Sequence, residues 1–473
     1  MSRLGWLGLP FLGSQDEDET GLVLSGGGAR ASFQLGALRY LYRETDIDPT
    51  VFVGTSAGAI LASMLAQFPT RDEQADGVDI LEQLWRELTA QSDMFIERTW
   101  FSKLRSHGTE LLTALTAEPK PSTIRSVTIS LPWLSRKEPD APELPPAPAA
   151  DPLAAALAPE SPGKDEWTPG LLVQLFNNLG RLSRVGGDLP QIWQGADRTR
   201  SAYRPGPLLA RLLEPDVFSP ARVGSSGMKL RIAMVGLVRG ELRFMREDGV
   251  LVDRDDTPIG DKQWDLALGV LASCAIPAVF APVPIGDELY VDGGVRENLP
   301  AEMAIGHLRT NPTYIIASAP AGVDPDPTAP EADVVSIMMR AMSILTDESL
   351  RDEVAYARSA GAIMIEPELN VHDALTVDPE LIAINIDYGW VRAAEAVKGV
   401  TTAEEALHRR VFELRLELLG LRRRSSLSGG KDDAVAVVHA QYALREAIAA
   451  CRAGFLPEDA HLWPEAPESA SAR

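Results

Sequence analysis

The chain has 473 residues, 45% hydrophobic and 24% charged, an ordinary globular composition with enough length for a large core. Its formal net charge of −22 repels nucleic acid and anionic bilayers at long range, which excludes a nucleic-acid partner. A lipid substrate is not excluded, because lipid is met through local apolar patches rather than through net charge.

Residues 1–19 read as a flexible N-terminal tail that runs into Asp16-Glu17-Asp18-Glu19. Trp6, Leu7, Leu9, Phe11 and Leu12 leave a peripheral membrane contact open. The tail lacks a small-residue cleavage pattern, and no uncharged apolar stretch reaches the roughly 20 residues that span a bilayer. No signal peptide or transmembrane segment is therefore expected. With only Cys274 and Cys451 and no disulfide framework, the expected setting is cytoplasmic.

Residues 21–25 read as a short buried strand and 29–44 as a helix. Residues 51–53 end a second strand, and 57–68 begin a helix of small apolar residues. Strand–helix–strand–helix at this spacing predicts a mainly parallel sheet with crossover helices. Residues 80–117 have a helical pattern. Between 118 and 166 the chain is rich in proline and alanine and reads as flexible, and 97–215 as a whole reads as a cap region inserted into the sheet domain. The sheet pattern resumes at 229–246, where Arg239-Gly240 predicts a hairpin turn. A helix is expected over 264–276, and strands over 288–291 and 313–318. Residues 331–460 read as a mostly helical region packed on the sheet domain, with a helix starting at Thr402, where Thr402 and Glu405 have capping-box spacing. Residues 461–473 read as a tail.

Two glycine-rich segments fall at carboxyl ends of strands, where open α/β sheets bind ligands. Gly54-Thr55-Ser56-Ala57-Gly58 lies between a strand and a helix. Glycines at 54 and 58 permit a sharp turn that pushes the Ser56 hydroxyl out at its tip, the geometry of a nucleophile elbow. The bland alternative is a tight turn whose serine caps the helix. Gly26-Gly27-Gly28 lets backbone N–H groups converge without side-chain obstruction, forming a nest for a phosphate or an oxyanion. Neither G-x-x-x-x-G-K-[ST] nor G-x-G-x-x-G is present, which leaves a nucleotide reading weak. Arg30 either steadies a head group or the loop, or is a surface cation paired with a carboxylate.

A serine nucleophile needs a base. The six histidines (107, 307, 372, 408, 439 and 461) are scattered and lack convincing settings for this role or for a zinc site. Asp292 ends an apolar strand and precedes Gly293-Gly294, which allow close approach; alone, it reads equally as a strand-end turn.

The wording and order of GLVLSGGGARASFQLGAL, VFVGTSAGAI, LASCAIPAVFAPV and YVDGGVRENLP resemble the patatin-like phospholipases over about 20–70 and 225–320. The resemblance implies a three-layer α/β/α fold and serine acyl hydrolysis of lipid carboxylic esters through a Ser–Asp dyad. It makes Ser56 the nucleophile and Asp292 the base. Gly26, Gly27 and Gly28 become the oxyanion hole with Arg30 beside it, and no metal or cofactor is required. The domain would run over 20–330. Ala272-Ser273-Cys274-Ala275-Ile276-Pro277, Asn298 and Pro300 match family segments of structural character. The family's usual glycine after the arginine is Ala31 here, and the long interval between Ser56 and Asp292 matches the inserted region. A non-catalytic or regulated lipid-binding module on the same fold is the alternative function.

Overall fold

The computed structural model describes residues 19–99, 101–102, 200–322, 325, 334–428 and 431–465. The chain divides into two units, and the one described in detail comprises Met1–Arg98 and Thr199–Arg473. The second, 99–198, holds almost none of the described residues. The expected tail 1–19, except its last residue, and the flexible stretch 118–166 fall outside the described residues, as does all but the edges of the expected insertion 97–215.

Strand β1 (Gly21–Leu24), helix α1 (Ala31–Glu44), β2 (Val51–Thr55) and α2 (Ala57–Ala66) follow the expected alternation. The helical expectation for 80–117 holds to Arg86 and is corrected over 87–98, and 103–117 lies outside the described residues. Helix α3 spans Arg71–Arg86, set by the Thr70 hydroxyl accepting the Glu73 N–H, with Asp72 and Glu73 favouring its positive end. Beyond it, Asp93 accepts the N–H groups of Thr89 and Ala90 in a turn that breaks the helix. Strand β3 (Phe95–Glu97) then pairs antiparallel with β4 (Tyr203–Pro205), and Phe95 stacks on Phe280. Two short helices follow, α4 (Pro207–Leu212) and α5 (Pro220–Ser225).

The hairpin predicted around Arg239-Gly240 is present as β5 (Lys229–Gly236) and β6 (Leu242–Arg246), extended by β7 (Val250–Val252) and β8 (Pro258–Gln263). Helix α6 (Leu266–Ser273), β9 (Val283–Ile285), β10 (Glu288–Asp292) and β11 (Thr313–Ile316) complete this part. The C-terminal region holds α7 (Val334–Ser359), β12 (Ile363–Ile365), α8 (Pro379–Lys398), α9 (Thr402–Ser428) and α10 (Lys431–Ala450).

Among the described residues the main sheet has ten strands, ordered β12-β11-β1-β2-β5-β6-β7-β8, with β10 and β9 paired off β5. Its centre is parallel, as the crossover helices require: β12, β11, β1, β2 and β5 run together. From β5 through β8 pairing is antiparallel, because short turns can only return the chain beside itself, and β10 also pairs antiparallel with β5. The sheet is therefore mixed, with helices on both faces.

Strand alternation splits the core in two. Leu22, Leu24 and Phe52 join the larger cluster with Phe33, Leu61 and Ile386 of α1, α2 and α8. Val23, Val51 and Val53 face the other way, toward Met303, Ala304 and the α7 residues Leu350 and Val354. Strand β12, not anticipated from the sequence, closes one sheet edge; three residues are too short a period to read.

The capping box of α9 sits one residue earlier than expected: Thr401 accepts the Glu404 N–H at 3.3 Å, and Glu404 accepts the Thr401 N–H at 2.9 Å. Leu414, Leu418, Leu419 and Leu421 of this helix are buried, whereas Arg423 ion-pairs with Asp378 and Glu380. Packing continues past the expected domain end at 460, since Trp463 is buried with the Arg415 guanidinium 3.8 Å from its ring.

Candidate active site

Ser56 occupies the turn between β2 and α2 with φ 54° and ψ −125°, a left-handed conformation rare for a side-chain-bearing residue. The surroundings impose it. A Cβ at Gly58 would lie 2.3 Å from the Leu24 carbonyl oxygen, and one at Gly54 would lie 2.5 Å from that of Gly58. Only glycine at both positions lets the start of α2 press against the end of β1 and force the elbow. The Ser56 N–H donates to the Ser273 hydroxyl at 2.9 Å, which holds the turn from the C-terminal end of α6.

Asp292 ends β10, two strands from Ser56 across β5: Ala233 pairs with Thr55 on one side, and Met234 pairs with Asp292 on the other. This register sets the two residues side by side, close enough for the Ser56 hydroxyl to pull the Asp292 pKa down. The Asp292 carboxyl also accepts the Gly294 N–H at 2.8 Å, and its own N–H donates to the Ala275 carbonyl at 3.0 Å. Burial pushes its pKa up to about 6, against the pull of the Ser56 and Gly294 hydrogen bonds. Cys274 is buried beside it, and burial together with the Asp292 charge raises the thiol well above its usual value.

The glycine loop follows β1. Of the three N–H groups expected to converge, that of Gly26 is donated to the Asn298 carbonyl at 3.1 Å, so Gly26 is not a free donor. The N–H groups of Gly27 and Gly28 have no hydrogen-bond partner among the described residues. Gly28 has φ 56°, and a Cβ there would lie 2.3 Å from the Ala374 carbonyl oxygen. That carbonyl accepts the Ala29 N–H at 2.9 Å, so the 370s segment braces the loop. Ser318 braces the other side: it donates its hydroxyl to the Gly26 carbonyl and its N–H to the Ser25 hydroxyl.

Arg30 is not the exposed paired cation of the bland reading. Burial lowers its pKa, Asp373 offsets this in part, and its Nε is buried without a hydrogen-bond partner among the described residues. Arg30 and Asn298 line a cavity of about 200 Å³ with Arg340, Thr346 and Asn370. The Nε2 of His372 lies 3.4 Å from the Ser32 hydroxyl, in a network with Asn385 that steadies the start of α1, and burial lowers its pKa.

Sequence reasoning missed the bracing residues Ser318 and Ala374. Ser273 and Asn298 stood in segments read as structural, and no local pattern ties Ser318 or Ala374 to a loop some 290 to 350 positions away. It also missed Glu297. This residue is 7% exposed and lies beside Asn298, and burial together with the Glu353 charge pushes its carboxyl up to about 7. Glu353 in turn accepts the N–H groups of Asn298 and Leu299.

Because Glu297 binds its proton more tightly in the fold than its ordinary value of 4.5 allows in the open chain, its stabilising share is complete below about pH 4.5 and is lost as pH rises through 7. Urea midpoints of the wild type should therefore fall between pH 5 and 8 by a contribution on the order of 2 kcal/mol that Glu297→Gln lacks. Identical pH dependence in the two proteins would overturn this.

Among solved structures, the chain is similar to VipD from Legionella pneumophila, with 15% identity and a TM-score of 0.34 over 92% of this chain and 80% of that one. It is also similar to the ExoU–SpcU complex of the Pseudomonas aeruginosa type III secretion system, with 16% identity and a TM-score of 0.20 over 94% and 74%. No curated protein matches the chain. The model of the patatin-like phospholipases matches residues 22–305, which is more than half of the sequence and contains the elbow, the glycine loop and Asp292. The chain belongs to the patatin-like phospholipase family.

Proposed function

We propose that this protein is a serine acyl hydrolase that cleaves carboxylic ester bonds of lipids, with Ser56 as nucleophile and Asp292 as base. Its family is one of lipid acyl hydrolases. The observation that carries the finer reading is the β5 register that sets the Ser56 hydroxyl beside the buried Asp292 carboxyl, next to a glycine loop in which two N–H groups have no hydrogen-bond partner among the described residues.

In this mechanism Asp292 takes the Ser56 proton as the hydroxyl oxygen attacks the ester carbonyl. The N–H groups of Gly27 and Gly28 receive the oxyanion, and Arg30 stands beside the loop. Collapse of the tetrahedral intermediate expels the alcohol or lysolipid, which takes the proton from Asp292. Water, activated by the same carboxylate, then releases the fatty acid and restores Ser56. Holding the base uncharged at low pH and ionised near neutrality is the setting that burial of Asp292 provides. No step calls on a metal or an organic cofactor.

A fluorophosphonate probe should label the full chain at Ser56, located by peptide mapping. Labelling elsewhere, or none in the presence of lipid vesicles, would reject the enzyme in favour of a lipid-binding module on the same fold. No helix among the described residues is long and apolar enough to cross a membrane, so a lipid substrate would be reached from the surface.

A further inference from the structure

The turn joining β5 and β6 carries two aliphatic side chains in water: Leu237 is 54% and Val238 is 72% exposed. Single exposed aliphatics are ordinary. These differ in where they stand and how they are held. Met234, opposite Asp292, marks the level of the dyad, and β5 continues past it in the direction in which β2 delivers Ser56. Leu237 and Val238 follow in the turn just past the strand end at Gly236, roughly 7–10 Å beyond that level at the rise of a strand. Val295, three residues past Asp292, is 51% exposed. On α7, Ile344 and Leu345 are 49% and 71% exposed. They adjoin Thr346, which lines the cavity shared with Arg30 and Asn298.

The tip is built to hold this exposure. The buried Glu288 carboxylate accepts the Val238 N–H at 2.8 Å, and the Leu237 N–H donates to the Leu289 carbonyl at 2.7 Å. Arg296 donates to the Gly240 carbonyl, which ties the tip to the turn that follows Asp292. The tip and the base therefore share one frame. Its cations are all paired: Arg239 with Asp287 and Glu288, and Arg243 with Glu241, two cations against three carboxylates. A patch without surplus cations, on a chain of net charge −22, does not suit an anionic surface.

We propose that Leu237 and Val238, with Val295 behind them, form a docking rim that seats the candidate active site on an electrically neutral phosphatidylcholine bilayer. The proposal rests on the lipid-hydrolase reading for its purpose, but its test does not depend on turnover. In the full chain carrying Ser56→Ala, which spares the lipid, protein should float with phosphatidylcholine vesicles. Adding Leu237→Asp and Val238→Asp should weaken that binding by about tenfold or more. With Ser56 intact, the double variant should lose vesicle-lipid hydrolysis by a similar factor, while turnover of soluble p-nitrophenyl butyrate stays within about twofold, the factor expected of a surface substitution away from the site. The milder pair Leu237→Ser and Val238→Ser should show the same split if the aspartates disturb folding. Failure of the parent to float, equal flotation of parent and variants, or an oligomer that the variants abolish would each overturn the proposal. Absence of any esterase activity would instead count against the catalytic reading and leave the flotation result to decide docking.

Discussion

Removing either member of the Ser56–Asp292 pair should abolish nearly all ester hydrolysis. Ser56→Ala deletes the oxygen proposed to form the acyl intermediate, and loss of a serine nucleophile lowers kcat by about 10⁴–10⁶. Asp292→Asn keeps the shape but cannot take the proton, and a positioned general base is worth about 10²–10⁴. The pH profile carries a second signature. Burial holds Asp292 protonated until about pH 6, so kcat/KM on a soluble ester should fall as pH drops below 6 rather than below the usual carboxylate range.

Stability separates lost chemistry from lost folding. The folded pKa of Asp292 lies above its ordinary value, so its stabilising share is present below about pH 4 and lost as pH rises through 6. The always-neutral asparagine escapes that loss, and Asp292→Asn should melt no lower than the wild type at pH 8. Substantial turnover in either variant, or a wild-type profile flat from pH 4 to 8, would sink the dyad.

The glycine loop should carry the next largest effect. Gly28→Ala asks an alanine to hold φ 56° with its Cβ 2.3 Å from the Ala374 carbonyl oxygen. That carbonyl is fixed by the Ala29 N–H, so the loop must move instead. Its N–H groups then leave the proposed oxyanion position, and loss of an oxyanion donor costs about 10²–10³ in kcat, or roughly 3–4 kcal/mol. Because the oxyanion forms only in the transition state, kcat should fall with KM little changed. Steady-state kinetics on a soluble ester checks this, and a change confined to KM would assign the loop to substrate binding instead. Gly26, whose N–H is already donated to Asn298, should not contribute an oxyanion bond.

Much of the parallel centre was legible in the sequence because its signals are local. Runs such as Leu22-Val23-Leu24 and Val51-Phe52-Val53, each followed by glycine and a helical period, leave little choice but strand–turn–helix. The Gly54–Gly58 spacing likewise encodes the elbow within five residues. Short or half-polar segments were not legible. Helix α3 starts at a Thr70 cap that was passed over, and β12 is three residues long. The capping box of α9 was misread by one position because Thr401-Thr402 and Glu404-Glu405 offer two registers of equal sequence quality.

The sequence by itself determined the chemical parts: a hydroxyl on a forced turn, a carboxyl at a strand end and a glycine loop, each defined by neighbours a few positions away. Only the tertiary structure decided which parts touch, which are already spent and how each is charged. It assigned the Gly26 N–H to Asn298, joined Ser56 to Asp292 through the register of β5, and raised the carboxyl by burial. The reason is that hydrogen-bond partners and dielectric surroundings come from segments hundreds of residues apart, brought together by packing that no local pattern records.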